Sequence, residues 1–256
     1  MVSTHRTGGL GVLVGPGVVR DGCVDDLRRF AARVGCGVVN TWGAKGVFRW
    51  DDPLHFGTAG LQALDFDLAG LGEVDVLVTS GLDPLEVTSQ PWLGRAEVID
   101  VAPADLSRAD LWLPTGTAER PRLYTDLAAV VGPMYERAGS APARAAALAA
   151  TLAAGGVVVA EPGLVGFWIA RTFPTAVPGS VVVPAAGGPA AAHLAAGALA
   201  TGGRDVVLVA AAVPAADLPG VQVEVWDPDV VDLDPSALVE VAGAIVAWSS
   251  YLPLKK

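Results

Sequence analysis

The sequence predicts an α/β fold, a parallel sheet with helices on both faces, and three observations carry that prediction. Short, continuous apolar runs recur along the chain, segments of helical period separate them, and glycines mark the junctions. Apolar runs without polar alternation fit strands covered on both faces, as in sheets linked by helical crossovers.

The first run, Leu10 to Val14, closes in Gly15-Pro16-Gly17. From Asp25 to Val34, apolar side chains fall at Leu27, Phe30, Ala31 and Val34, with acids in the first turn and Gly35 as a C-cap, so a helix is expected. Further strands are expected at 37–40, at 75–80 before Gly81, at 96–100 and at Leu111 to Leu113. Gly132-Pro133, Gly139 and Pro142 then break the pattern and set a boundary between two units, residues 1–137 and 138–256. The second unit opens with an alanine-rich helix over 143–154. Strands follow at 156–160, 180–183, 205–209 and 221–225, with helices at 163–173, 189–200 and 235–248. No repeat of fixed period is present.

Composition narrows the function. At 256 residues the chain is one large domain or two small ones. Seventeen basic against 27 acidic residues give a net charge of −10, which speaks against a general nucleic-acid binder and against an anionic membrane surface as partner. Three His and two Cys are too few for a zinc ribbon or a disulfide scaffold. The apolar stretch from Gly187 to Ala216 is interrupted by His193, Gly202-Gly203, Arg204 and Asp205, and glycines break up the first nineteen residues. Neither a membrane span nor an export signal is expected, so the expectation is a cytoplasmic protein with Cys23 and Cys36 as reduced thiols.

Gly15-Pro16-Gly17 sits where a strand gives way to a helix and backbone can approach a phosphate closely. Arg20 occupies the position of the third glycine of a dinucleotide fingerprint, so a simple tight turn is the competing reading. His55 could contact a ligand or pack in a loop, and His193 lies in an alanine-rich helix. The four carboxylates Asp227, Asp229, Asp232 and Asp234 could hold a cation or line a solvated turn. The seven tryptophans show no cage spacing and read as packing anchors.

Lys45-Gly46, Asp52-Pro53-Leu54, Gly57-Thr58-Ala59-Gly60, Gly81 with Asp83, and Asp100 followed by Pro103 stand in an order that resembles the central domain of acetolactate-synthase-like thiamine-diphosphate enzymes. The resemblance spans roughly residues 9–135 and implies a Rossmann-like sheet. In some members that domain holds FAD or another nucleotide at the strand ends. Carried over, the resemblance implies a pocket edged by Gly15, Gly17, Gly57, Thr58, Gly81, Asp83 and Asp100. Glu161-Pro162-Gly163, Phe167 to Pro174 and Gly187-Gly188 resemble the start of the family's diphosphate-binding domain. Where the family's Gly-Asp-Gly would bind the metal, this chain reads Ala210-Ala211-Ala212. Alanine supplies no oxygen ligand for Mg²⁺. The family's preceding, pyrimidine-binding domain, with its activating Glu, has no counterpart in these motifs.

The resemblance therefore implies a truncated, degenerate homologue without thiamine catalysis or Mg²⁺ on this chain alone, acting as a nucleotide-like ligand-binding or assembly protein. The alternative is a subunit of a split lyase or decarboxylase, completed by a partner chain carrying the pyrimidine-binding domain. A homodimer is expected through the apolar run of the second unit. A sirtuin-like deacylase, which shares a related sheet, would usually carry four zinc cysteines, and two are present.

Overall fold

A computed structural model describes residues 9–248. Strand pairing stays within each half of the chain. Strands β1 (Leu10–Val14), β2 (Val38–Thr41), β3 (His55–Ala59), β4 (Val76–Ser80) and β5 (Glu97–Asp100) form one parallel sheet in the order β3-β2-β1-β4-β5. Strands β6 (Val157–Ala160), β7 (Val181–Val182), β8 (Val206–Ala210) and β9 (Val221–Val225) form a second parallel sheet in the order β7-β6-β8-β9. The helices are α1 (Gly17–Arg20), α2 (Val24–Val34), α3 (Asp65–Leu68), α4 (Arg122–Tyr135), α5 (Ala141–Thr151), α6 (Leu164–Thr172), α7 (Gly188–Thr201) and α8 (Ser236–Ala242). Among the described residues no helix is long and apolar enough to cross a membrane.

Side-chain alternation along each strand creates the layers. In the first sheet, Leu10, Val12 and Val14 of β1 face a core shared with Leu27 and Phe30 of α2, while Leu13 turns the other way. In the second, Val206, Leu208 and Ala210 of β8 pack with Ala192 and Ala196 of α7, while Val207 and Val209 turn inward. The inward faces meet in one continuous core with Leu123, Leu127 and Val131 of α4, Ala145 and Leu148 of α5, and Phe167 and Trp168 of α6. The two halves thus keep separate sheets and share one interior.

Three local expectations fail. Leu111 to Leu113 do not form a strand: a 3₁₀ segment runs over Pro103–Trp112. Gly132-Pro133 does not break the pattern but lies within α4, whose buried Leu123, Leu127, Val131 and Met134 repeat at helical spacing. The last helix stops at Ala242, and its continuation returns to the first half. Ile245 forms an antiparallel bridge with Gln62, and Trp248 stacks edge-on against Trp42 at 5.2 Å.

One buried ion pair joins the halves. Arg171 of α6, 3% exposed at its side chain, places Nη2 2.9 and 2.8 Å from the two carboxylate oxygens of Asp65 at the start of α3. Its Nη1 donates to the Thr58 carbonyl of β3 at 2.7 Å. Asp65 also accepts the amides of Leu61 and Gln62. Removing one partner of such a pair leaves an uncompensated buried charge. Asp65→Ala is expected to lower the unfolding free energy by about 3–5 kcal/mol, and Asp65→Ala with Arg171→Met by clearly less. Urea denaturation of both variants checks this, and equal losses would contradict it.

Candidate functional site

The seven residues expected at the strand ends fall into two groups. Gly15 and Gly17 follow β1 and Gly81 follows β4, its neighbour in the sheet. The two loops touch backbone to backbone: the Gly15 amide donates to Ser80 O and the Gly17 amide to Gly81 O, both at 2.9 Å. A Cβ on Gly15 would stand 2.5 Å from Gly81 O, and one on Gly17 2.6 Å from Gly81 Cα. The glycines here permit close packing of chain on chain, and the Gly17 amide, which could have faced an anion, is already bonded. Asp83 accepts the Leu85 amide at 2.9 Å, and Asp100, at the exposed end of β5, accepts Thr79 Oγ1 at 2.8 Å.

Gly57 and Thr58 lie elsewhere, on β3, the edge strand of the sheet. They line a cavity of about 290 Å³ between β3, α4 and the 171–174 segment. The register between β2 and β3 shifts at this point, and Gly57 takes φ +112°, a value that an L side chain adopts only with strain. The wall opposite is apolar, with Leu123, Leu127 and Val131 from α4 and Phe173 beyond α6, while the half-exposed Trp50 stands at the rim.

Lys45 reaches this cavity from the turn after β2. It is 7% exposed; its backbone amide donates to Trp42 O at 3.2 Å, and its Nζ makes no hydrogen bond or ion pair among the described residues. Burial, reinforced by the nearby Arg171 guanidinium, pushes its ammonium down to about 7. His55 opens β3 at the same cavity, edge-on to the Tyr124 ring at 6.1 Å, and its Nδ1 is buried without a partner. Burial, then the charges of Lys45 and Arg120, push it down to about 3, so its imidazole is neutral at physiological pH. Tyr135 donates its hydroxyl to the Thr172 carbonyl, and burial raises its phenol to about 12. Arg171 is paired with Asp65. The cavity therefore presents one ammonium without a counter-ion in otherwise neutral, mainly apolar surroundings.

His55 had been singled out as a possible ligand contact, and Lys45 only as a motif element. Tyr124 and Tyr135 sit on α4, whose helical stripe is masked in the sequence by Gly132-Pro133, and Arg171 sits on the expected 163–173 helix, where nothing in the sequence marks it as facing β3. Lysine usage carried the missed signal: only three of the seventeen basic residues are lysine, and two of those are Lys255 and Lys256.

At the second sheet, Glu161 follows β6, where Ala211 follows β8. Glu161 Oε1 lies 2.7 Å from His193 Nε2 of α7, and Oε2 accepts the Ala211 amide at 2.8 Å. Its carboxylate is thus already bonded on both oxygens. No group of three or more metal-ligating side chains exists among the described residues. The residues at this end do not fit a metal-bound diphosphate. Three of the four carboxylates of 227–234 are engaged in turns and one ion pair: Asp227, Asp232 and Asp234 each accept an amide two residues on, and Asp232 also pairs with Arg137 at 2.6 Å.

Parallel sheets of this order with helices on both faces define the doubly wound α/β class. Residues 11–111 match the family model described as "Thiamine pyrophosphate enzyme, central domain". A crystal structure of a candidate thiamin diphosphate-dependent enzyme from Mycobacterium smegmatis is similar at a TM-score of 0.60 and 17% identity, over 79% of this chain and 44% of that one. At that identity the likeness establishes the fold. The chain spans under half the length of that structure. No curated protein matches the sequence.

A buried lysine with a lowered pKa weakens the fold on which it sits. The penalty is absent above the ordinary lysine value, grows as the pH falls from there, and is complete below about 7. Lys45→Met should therefore raise stability at pH 7 by about 1–4 kcal/mol, and the gain should shrink as the pH rises toward 10. Urea melts at pH 7 and 9 measure this. A destabilised variant would show that Lys45 has a structural role instead.

Proposed function

We propose that this chain is a small-ligand-binding protein built on the central-domain scaffold of thiamine pyrophosphate enzymes, without thiamine chemistry of its own. Its ligand occupies the groove between β3, α4 and the end of α6. The observation that carries this reading is the buried, unpartnered Lys45 ammonium on the wall of a cavity of about 290 Å³. Evolution retains such a group at a cost to stability when it meets a ligand. The volume sits at the small end of ligand pockets, about 300–1,000 Å³, and suits a compact molecule better than a whole dinucleotide. The Gly17 amide at the β1–β4 crevice points the same way, since it is already bonded to Gly81 O and is not free to hold a pyrophosphate.

The absence of an oxygen ligand at Ala210-Ala211-Ala212, with Glu161 already holding the Ala211 amide, supports the exclusion of thiamine diphosphate from this chain. A second reading, a subunit completed by another chain, draws support from the similar structure, of which this chain spans 44%.

Calorimetric titration with thiamine diphosphate and Mg²⁺ is expected to give no isotherm, and a metal-dependent micromolar one would overturn the first reading. In thermal-shift screening of small carboxylates, aldehydes, ketones, ADP, NAD, FAD and CoA, hits are expected among the compact compounds. Ala128→Trp, which fills the mouth of the groove from the exposed side of α4, should abolish those shifts. A hit indifferent to Ala128→Trp would place the ligand elsewhere. Native mass spectrometry of protein from its own host separates a retained small molecule from a partner chain.

A further inference from the structure

Fourteen of the seventeen basic residues are arginine, and only Lys45, Lys255 and Lys256 are lysine. Within the described residues, arginine thus supplies every other basic side chain, and the one lysine stands inside the molecule on the wall of a cavity. The two side chains differ in one respect that matters here. A guanidinium stays protonated in proteins, whereas a desolvated ammonium gives up its proton and becomes a nucleophilic amine.

We propose that Lys45 is a nucleophilic amine and that the groove takes a small, mainly apolar aldehyde or ketone, held as an imine on Lys45 Nζ. This deepens the reading of the groove as a ligand site and rests on it. The surroundings favour the free amine. No carboxylate pairs with Lys45, and Asp65, the buried acid beside Arg171, is fully engaged with that guanidinium and with the Leu61 and Gln62 amides. A second cation beside a desolvated lysine is a recognised way to activate it. With its ammonium pushed down to about 7, a large fraction of Lys45 is unprotonated at neutral pH. The other polar walls do not interfere: His55 is neutral there, and the Tyr135 hydroxyl is committed to Thr172. Leu123, Leu127, Val131 and Phe173 offer the apolar contact that the carbon body of the ligand requires.

The chemistry balances without a further reagent. The Nζ lone pair attacks the carbonyl carbon, and the C=O π pair moves onto oxygen. A proton passes from nitrogen to that oxygen through water and gives the carbinolamine. Loss of one water then forms the C=N bond, and hydrolysis reverses each step and releases the ligand.

The test is reductive trapping of the full chain at pH 7 with isobutyraldehyde and sodium cyanoborohydride, read by peptide mapping. Lys45 is expected to be alkylated roughly tenfold or more faster than Lys255 and Lys256, because a lysine of ordinary pKa is almost wholly protonated at that pH. The preference should vanish in denaturing urea. Lys45→Arg, or Lys45→Met if the arginine variant does not fold, should lose the label while circular dichroism stays unchanged. Labelling of the terminal lysines with Lys45 inert would overturn the proposal. If isobutyrate then raised the melting temperature of that inert protein and Ala128→Trp removed the shift, the groove would remain a ligand site for a carboxylate paired with a charged lysine. If neither probe acted on the groove, both readings would fall.

Discussion

The buried pair between Arg171 and Asp65 is the constraint on which the arrangement of the molecule turns. Asp65 sits where α3 begins, and its carboxylate gathers the Leu61 and Gln62 amides while taking two bonds from the guanidinium. The guanidinium reaches in turn to the Thr58 carbonyl on the outer edge of β3 and to Gln62 Oε1 at 3.2 Å. An edge strand normally leaves such carbonyls to water or to another strand. Here an arginine from the second half satisfies one of them, so the edge is closed by the other half of the chain and not by a sixth strand. The same contact ties β3 to α6, whose ends both line the groove.

The groove thus owes its existence to the junction and not to the crevice at which open α/β sheets usually bind ligands. At that crevice glycines bring β1 and β4 loops into contact, whereas at the junction a bulge at Gly57, an apolar helix face and a lone amine leave space. Two sheets of similar design joined through a shared core therefore create a recess that neither would have alone. Its polarity is set by the ion pair: Asp65 is taken up by Arg171, which leaves Lys45 with no carboxylate and with a guanidinium beside it.

The parts of the fold legible in the sequence were those governed by a single local period. The β1, β4, β6, β8 and β9 runs are continuous stretches rich in β-branched residues, and α2 carries its apolar stripe, acidic first turn and glycine cap together. β3 reads His-Phe-Gly-Thr-Ala, with a glycine at its centre and neither alternation nor an apolar run, because it is a bulged edge strand whose outer partner is a side chain. α4 was obscured by Pro133 near its C-terminal end, where the missing amide costs a single bond and the helix tolerates it. Of the seven site residues expected from family resemblance, Gly57 and Thr58 lie at the groove; the order of motifs in the chain carries no information on which strand ends face a junction with a second sheet. Lys45 was visible as a letter, and its importance came only from burial without a partner, which is a tertiary property.

The return of residues 242–248 to the first half sets the order in which the molecule can be completed. Gln62 Nε2 donates to the carbonyls of Leu238 and Gly243, the Leu64 amide to Ala242 O, and Trp248 Nε1 to Pro184 O. During synthesis the first sheet leaves the ribosome early, yet the loop after β3 must wait for almost two hundred further residues before its last hydrogen-bond acceptors exist. Contacts so distant in sequence close late and slow the final step. Until then the face of the first half that later joins the shared core stays open to solvent, a natural hold for a chaperone on the nascent chain.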